Sequence, residues 1–233
     1  MKIAVFSIPE IDLGKHNIKD NRLDQVYKIT KSKKETYVQA ELVSEEVALD
    51  ADAILVPKDL RADLILKDLE FVETRLGRAE NENEKATLAK LKLILEKEQF
   101  IASAGLSEEE KRTISGYGLL TAKPITVAEK QELEDQNSLL AKVLRESGFD
   151  CFFTTGEKET RAWLIRKGTT AWEAAGVIHS DIQRGFIRAE IISFNDFIQA
   201  GGEAPAKQAG KMHLEQKEYI IQDADLVNFR FNK

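Results

Sequence analysis

A single cysteine, Cys151, excludes an internal disulfide framework and any zinc site built from several thiolates. Three histidines, His16, His179 and His213, lie far apart in the chain, so no metal-ligand spacing is present and no metal is expected. No apolar run approaches the ~20 residues that a membrane-spanning helix needs. The N-terminal run Met1–Phe6 carries one lysine and is followed by Pro9. It lacks the length and cleavage site of a signal peptide and reads as a strand. The expectation is cytoplasmic residence with no membrane partner. Cys151 has no clear base or cation beside it in sequence, so it is expected to be a small buried residue rather than a reactive thiol.

Excess charge of one sign is also modest. The 34 Lys+Arg residues stand against 40 Asp+Glu, a formal net charge of −6. From Cys151 onward the count is 11 against 11, and residues 1–150 hold the remaining 23 against 29. The acidic part repels nucleic acid on average, whereas the neutral part could hold a local basic patch. Bulk charge gives no support to a dedicated nucleic-acid-binding protein, and no DNA partner is expected. The length of 233 residues permits one or two domains with a sizeable core.

The densest organisation runs from Phe152 to Phe231. A strand-like run, Arg161–Arg166, passes through Lys167-Gly168 into a short helical segment, Thr170–Val177. A second strand-like run follows at Phe186–Phe194, a helix-like segment at Asn195–Ala200 stops at Gly201-Gly202, and Asp225–Phe231 alternates apolar and polar. These spacings predict a compact α+β unit with a helix lying on a mixed sheet. The segments FFTTGEKETRAW, IRKGTTAWEAAGVIHSDIQRGFIRAEIISFNDFI, AGGEAPAKQAGK and QDADLVNFRFN closely resemble the C-terminal TGS-type domain of the YchF / Obg-like family of P-loop NTPases. The resemblance implies a ubiquitin-like β-grasp fold over residues 152–233. It also implies contact with ribosome, RNA or protein rather than chemistry.

The family's phosphate loop follows its first strand. A P-loop, G-x-x-x-x-G-K-[ST], wraps phosphates with backbone N–H groups, reaches them with Lys and holds magnesium with the hydroxyl. Here the stretch is Ser7-Ile8-Pro9-Glu10-Ile11-Asp12-Leu13-Gly14-Lys15-His16. Gly14-Lys15 remains, but Ser7 replaces the first Gly, His16 replaces the hydroxyl residue, and the spacing is two residues too long. The family's Asp-x-x-Gly turn is replaced by Ser44-Glu45-Glu46-Val47-Ala48, and Ala51–Val56 follows it early. The region of the family's base-recognition motif reads Thr126-Val127-Ala128-Glu129, without the Asn. The positioning parts of phosphoryl transfer are therefore read as missing, and the chain is expected not to be an enzyme and to need no cofactor. The alternative is an ATP- or GTP-binding NTPase with an unconventional phosphate loop around Lys15.

Between these regions the period turns helical. Asp20–Lys34 is helix-like in its first half, with Leu23, Val26 and Tyr27 on one face. Its lysines, Lys28, Lys31, Lys33 and Lys34, read as a solvated helix end, with a phosphate contact as the alternative. Ile65, Leu69, Val72 and Leu76 form one apolar stripe and Leu88, Leu91 and Leu95 another, which predicts an antiparallel helical hairpin. This part resembles the family's coiled-coil arm. Ser107–Glu110 reads as a capping box with Leu106 as its staple. Glu129–Glu146 reads as one helix ending at Gly148. The domain reading is a truncated P-loop-type α/β remnant in residues 1–58 and 119–151, a helical arm in 59–118, and the TGS-like domain in 152–233.

The candidate contact residues are Arg161, Arg166, Lys167, Arg184 and Arg188. In a β-grasp arrangement several could share one sheet face and meet RNA phosphate. The alternative is scattered surface charge balanced by Glu157, Glu159, Glu173 and Glu190. His179 reads first as a residue that hydrogen-bonds a turn, and Lys207 and Lys211 flank a flexible-looking Ala/Gly loop; all three are weaker candidates. The expected function is non-catalytic binding by a degenerate YchF-like protein. Ribosome, RNA or a translation-associated protein is the expected partner. A protein-interaction module acting through the helical arm is a further alternative.

Overall fold

The structure is a computed structural model and describes residues 1–232. It divides into two compact units. The first comprises Met1–His16 and Ala40–Ser147, and the second comprises Asn17–Gln39 with the chain from Gly148 onward.

The first unit is built on β1 (Lys2–Val5), whose Ile3, Ala4 and Val5 are all buried, as a strand covered on both faces requires. β1 pairs in parallel with β4 (Val38–Ser44) on one side and β5 (Ala53–Pro57) on the other. β6 (Ile125–Ala128) adds in parallel beyond β5, and β2 (Gly14–Ile18) lies outside β4, giving the order β2-β4-β1-β5-β6. The chain thus leaves β1 towards one edge and returns on its other side. In doubly wound sheets such a switch opens a crevice at the carboxyl ends of the strands.

The expected helical hairpin is present as α2 (Arg61–Leu76) and α3 (Glu82–Glu96). Ile65 and Val72 pack with Leu88, Leu91 and Leu95 in one buried cluster, with Leu69 and Leu76 at its margin. Ion pairs Arg75–Glu84 and Lys92–Glu73, each 2.7 Å, cross the hairpin in the antiparallel sense. The capping box at Ser107 opens α4 (Glu108–Ile114), and Leu106 packs beside the cluster. The single helix read over Glu129–Glu146 is broken. A 3-10 turn at Lys130–Glu134 precedes α5 (Gln136–Glu146), because Glu129 and Glu132 cap one another and Asp135 then caps α5 by accepting from Ser138 N–H.

The second unit carries a six-stranded sheet. β7 (Phe149–Thr154) and β8 (Thr160–Arg166) form an antiparallel hairpin. β9 (Phe186–Ile192) pairs antiparallel with β11 (Leu226–Phe231), and β11 meets β7 in parallel. The short strands β10 (His213–Glu215) and β3 (Glu35–Thr36) form the two edges, so the order is β10-β9-β11-β7-β8-β3. Helix α6 (Ala171–Ile178) packs Ala171, Ala174 and Ala175 against Phe152, Ile165, Ala189, Ile191, Val227 and Phe229. The small alanines let the helix approach the sheet closely. Three short helices complete the unit: α7 (Ser180–Arg184), α8 (Phe194–Ala200) and α9 (Glu203–Gln208). Between Lys207 and Lys211, where a flexible loop was expected, Gln208 ends α9 and Ala209-Gly210 form a turn.

The segment Asn17–Gln39 departs from the domain boundaries read from sequence. Its helix α1 (Asn21–Thr30) and strand β3 group with the C-terminal region. Leu23 and Val26 are fully buried, and Ser32 Oγ donates to Gly156 O at 2.6 Å. One apolar stripe shows that a helix covers a sheet, but not which sheet.

Candidate functional site

Two clefts lie at the carboxyl ends of the parallel strands of the first unit. A cleft of about 400 Å³ is lined by Phe6 and Ser7 after β1, Glu45 after β4, and Asp63, Lys67 and Glu70 of α2. Ser7 takes a left-handed backbone conformation, φ 46°, and its Oγ lies 3.4 Å from Glu45 Oε2. A larger cleft of about 660 Å³ has an apolar floor of Ile65, Leu66, Leu69, Leu95 and Val127. At its mouth Lys58, just after β5, meets Glu129, just after β6, at 2.7 Å. That hydrogen bond raises the Lys58 pKa, so the group stays charged. The Arg61 guanidinium stacks 5.3 Å from the Phe100 ring centroid and donates to the Glu98 carbonyl.

Lys15, the residue of the alternative phosphate loop, is not among the residues lining either cleft. The loop after β1 enters β2 rather than a helix, and Lys15 is exposed on that strand. Gly14 has φ 119°, and the His16 Nε2 is 2.7 Å from the Asp12 carbonyl.

In the second unit the five candidate cations do not form one cluster. Strand alternation puts Arg161 on the α6 face, where its guanidinium stacks 4.0 Å from the Trp163 ring centroid and lies 3.9 Å from Glu159. Arg166 and Arg188 lie on the opposite face but at opposite ends of the strands. Arg166 covers the Phe149 ring at 4.6 Å, while Arg188 sits beyond the end of β7. Lys167 follows Arg166, and its N–H donates to Gly148 O. Arg184 ends α7 and pairs with Asp181. His179 caps α7: its Nδ1 accepts from Asp181 N–H at 3.1 Å. Lys207 lies on α9, and Lys211 pairs with Asp196 at 3.1 Å. The named balancing carboxylates are partly engaged elsewhere, since Glu173 caps α6 and Glu190 holds Arg230 and Asn228.

Sequence reasoning overlooked three features. Arg230 alternates along the last strand, but its neighbours hid its charge among apolar residues. Asp68, buried on α2, accepts from Thr121 N–H at 2.7 Å, Thr121 Oγ1 at 2.6 Å and Leu120 N–H at 3.2 Å. Arg22 on α1 bridges Asp20 at 2.8 Å and Asp223 at 2.6 Å beside Cys151. Burial pushes the Cys151 thiol up, and the nearby Asp223 and Asp20 push it the same way, which disfavours the thiolate. Among the described residues no group of three or more His, Cys, Asp or Glu could hold a metal ion. No helix of the described residues is long and apolar enough to cross a membrane.

A parallel α/β unit with clefts at its carboxyl edge, a helical hairpin and a mixed-sheet unit define a two-unit α/β protein. Residues 149–232 match the family described as YchF-GTPase_C, protein of unknown function (DUF933). The chain is 34% identical over 238 residues to the "Ribosome-binding ATPase YchF" of Bacillus subtilis, covering 74% of this chain and 65% of that protein. It is 50% identical over 106 residues to the protein of the same name in Escherichia coli O157:H7, covering 44% and 29%. With "Obg-like ATPase 1" of Gallus gallus it shares 41% over 126 residues, covering 51% and 32%. The chain thus spans 65% or less of the length of these relatives. The solved structure of the Schizosaccharomyces pombe YchF GTPase superposes with a TM-score of 0.78 at 19% identity, covering 99% of this chain and 97% of that one, which shows a shared mixed α/β fold. These matches support placing the chain in the YchF / Obg-like family.

They also correct one expectation. The chain was expected not to be an enzyme, but its relatives are named ATPases, and the family is one of nucleotide hydrolases. The physical reason is that phosphates are held largely by backbone N–H groups. A motif defined by side chains at fixed spacing tests that capacity only indirectly.

Proposed function

We propose that this protein contacts the ribosome through its second unit, in the cytoplasm. The observation that carries this reading is the family match over residues 149–232, in a chain whose relatives are named ribosome-binding. We read this unit as a TGS-type β-grasp. Counted from β7, its strands have the order 4-3-5-1-2, the first and last are parallel, and α6 covers one face. Arg161, Arg166, Lys167, Arg184 and Arg188 supply cations on both faces and both ends. In a sucrose-gradient experiment the protein is expected to migrate with intact ribosomes at low salt and to be released as salt rises, as phosphate contacts require. Migration at the top of the gradient at every salt concentration would sink the reading.

A second reading has its own observation. The two clefts occupy the carboxyl edge of the parallel sheet, where doubly wound sheets bind ligands, and the relatives are named ATPases. ATP or GTP binding would then use Lys58 and Arg61 at the mouth of the larger cleft rather than Lys15. Lys58→Ala is expected to weaken binding of a fluorescent nucleotide analogue about tenfold, about 1.4 kcal/mol. Lys15→Ala is expected to leave it unchanged. Binding abolished by Lys15→Ala and untouched by Lys58→Ala would move the site back to the first loop.

A further inference from the structure

The carboxyl ends of β1 and β4 open onto a surface that is both apolar and acidic. A 3-10 turn, Glu45–Asp50, follows β4, and its Ala48 packs with Leu64 of α2 in one buried cluster. The turn and α2 therefore flank the smaller cleft, whose floor is Phe6, Leu60 and Leu64. The turn carries the surface further. A Cβ at Gly118 would stand 3.4 Å from Leu49 Cδ1, and the Tyr117 ring lies 5.6 Å from the ring of Phe71 on α2.

Large apolar side chains stand uncovered along this surface. Leu66 and Leu49 expose 58% and 56% of their areas, and Val47 and Phe71 expose 44% and 40%. Single exposed apolar residues are ordinary, but several sharing one surface with a cleft mark an interaction site. The charge beside them is of one sign. Glu45 accepts from Ser7 Oγ. Among the described residues, Glu46, Asp50, Asp63 and Glu70 are exposed and have no ion-pair partner, and Lys67 is the only cation lining the cleft. Elsewhere in the same unit Glu73, Glu84, Glu110 and Glu132 each meet a lysine or arginine at 2.7–2.9 Å.

We propose that this surface holds a basic, amphipathic helix of a partner protein. The apolar stripe of that helix fills the cleft beside Leu66 and Phe71, and its lysines and arginines meet Glu46, Asp50, Asp63 and Glu70. β1 and β4 are internal strands of their sheet, so no backbone edge is free here to receive an extended segment. A helix needs none, because its backbone hydrogen bonds close internally. The sign of the charge disfavours the other occupants. A nucleotide, RNA or anionic lipid would bring phosphates to carboxylates, and twofold pairing with a second copy would set the acidic rim against itself. The docking rests neither on the ribosome contact read in the second unit nor on a nucleotide at Lys58 and Arg61.

The test uses the full chain and a fluorescein-labelled synthetic peptide of about 18 residues, or about five turns of helix. Leucines at i, i+3, i+4 and i+7 form one face, and lysines and arginines form the other. A peptide of the same composition in scrambled order, without the stripe, is the reference. Binding is followed by anisotropy at low and high salt. The amphipathic peptide is expected to bind about tenfold more tightly than the scrambled one. Leu66→Ala is expected to weaken its binding about fivefold at both salt concentrations, as loss of buried apolar surface would. Glu70→Lys is expected to weaken it about fivefold at low salt and less at high salt, where charge is screened. Both positions are exposed, so the fold is expected to survive, which a melting curve checks. Glu146→Lys, at the end of α5 and lining neither cleft, changes the net charge equally and leaves binding unchanged.

Equal affinity for the two peptides overturns the proposal, as does failure of the wild type to bind either one. Equal losses in Glu70→Lys and Glu146→Lys also overturn it, because net charge alone then draws the peptide. Sedimentation of the chain by itself tests the remaining occupant. A dimer that Leu66→Ala dissociates gives the surface to a second copy and overturns the proposal, whereas a monomer in both leaves the surface open for the partner helix and supports it.

Discussion

Asp68→Ala is expected to destabilise the first unit by about 3 kcal/mol. The carboxylate is only 5% exposed and takes three donors, two from Thr121 and one from Leu120. Alanine leaves those donors buried and unpaired, at about 1–3 kcal/mol each before relaxation. Asp68→Asn keeps an acceptor for Thr121 but turns its NH₂ towards the Leu120 N–H, so an intermediate loss is expected. Thr121→Val removes one donor and should cost about 1 kcal/mol. The double variant should cost less than the sum, since the donor missing from Thr121→Val no longer needs Asp68. Hydrogen exchange at the amides of Leu120 and Thr121 locates the effect. Unchanged protection in Asp68→Ala would show that the carboxylate does not anchor this turn. Burial raises the Asp68 pKa, only partly offset by the Thr121 and Leu120 hydrogen bonds. A raised folded-state pKa gives a contribution present below the unfolded value and lost as pH rises, so acidification alone is not expected to release this anchor.

Arg22→Met is expected to cost the second unit about 1–3 kcal/mol and to reverse its pH dependence. The cluster is about one third solvent-exposed, which limits the cost. Burial works to raise the Asp223 carboxyl, but the Arg22 hydrogen bond, the Cys151 N–H and the Arg22 charge together outweigh it and hold the group below the usual carboxylate range. In the wild type this contribution is present above the unfolded carboxylate pKa and is lost as pH falls through the folded one. Without Arg22, Asp20 and Asp223 face each other beside Asp150, whose pKa burial and Asp223 already raise. Moving from pH ~8 to ~5 should then stabilise the variant while leaving the wild type level or weaker. Urea unfolding of both proteins at the two pH values measures the sign. The same sign in both would show that Arg22 does not set the charge balance of the cluster.

The strands and helices with strong periodicity were legible because their burial follows one simple geometry. The apolar Ala53–Pro57, the Leu88, Leu91 and Leu95 stripe and the Ser107 capping box all appear where their patterns place them. What escaped was assigned by partners distant in sequence. Asn17–Gln39 joins a sheet more than a hundred residues away through Arg22, Ser32 and Thr36, none of which signals its partner locally. β2 was hidden because Gly14-Lys15 invited a phosphate-loop reading. Arg161, Arg166 and Arg188 could be named as cations from sequence, but the face of each depends on register. Register separated Arg161 from the others and brought Arg188 to Arg230.

Photo-crosslinking tests the central claim most directly. A photoreactive side chain is placed in turn at Arg188 and Lys167 in the second unit and at Lys92 on the hairpin, and the full chain is irradiated with intact ribosomes. Adducts to ribosomal components from at least one of the second-unit positions, and none from Lys92, are the predicted result. Adducts confined to Lys92, or none from any position under conditions in which ribosomes remain intact, would contradict a ribosome contact made by the second unit.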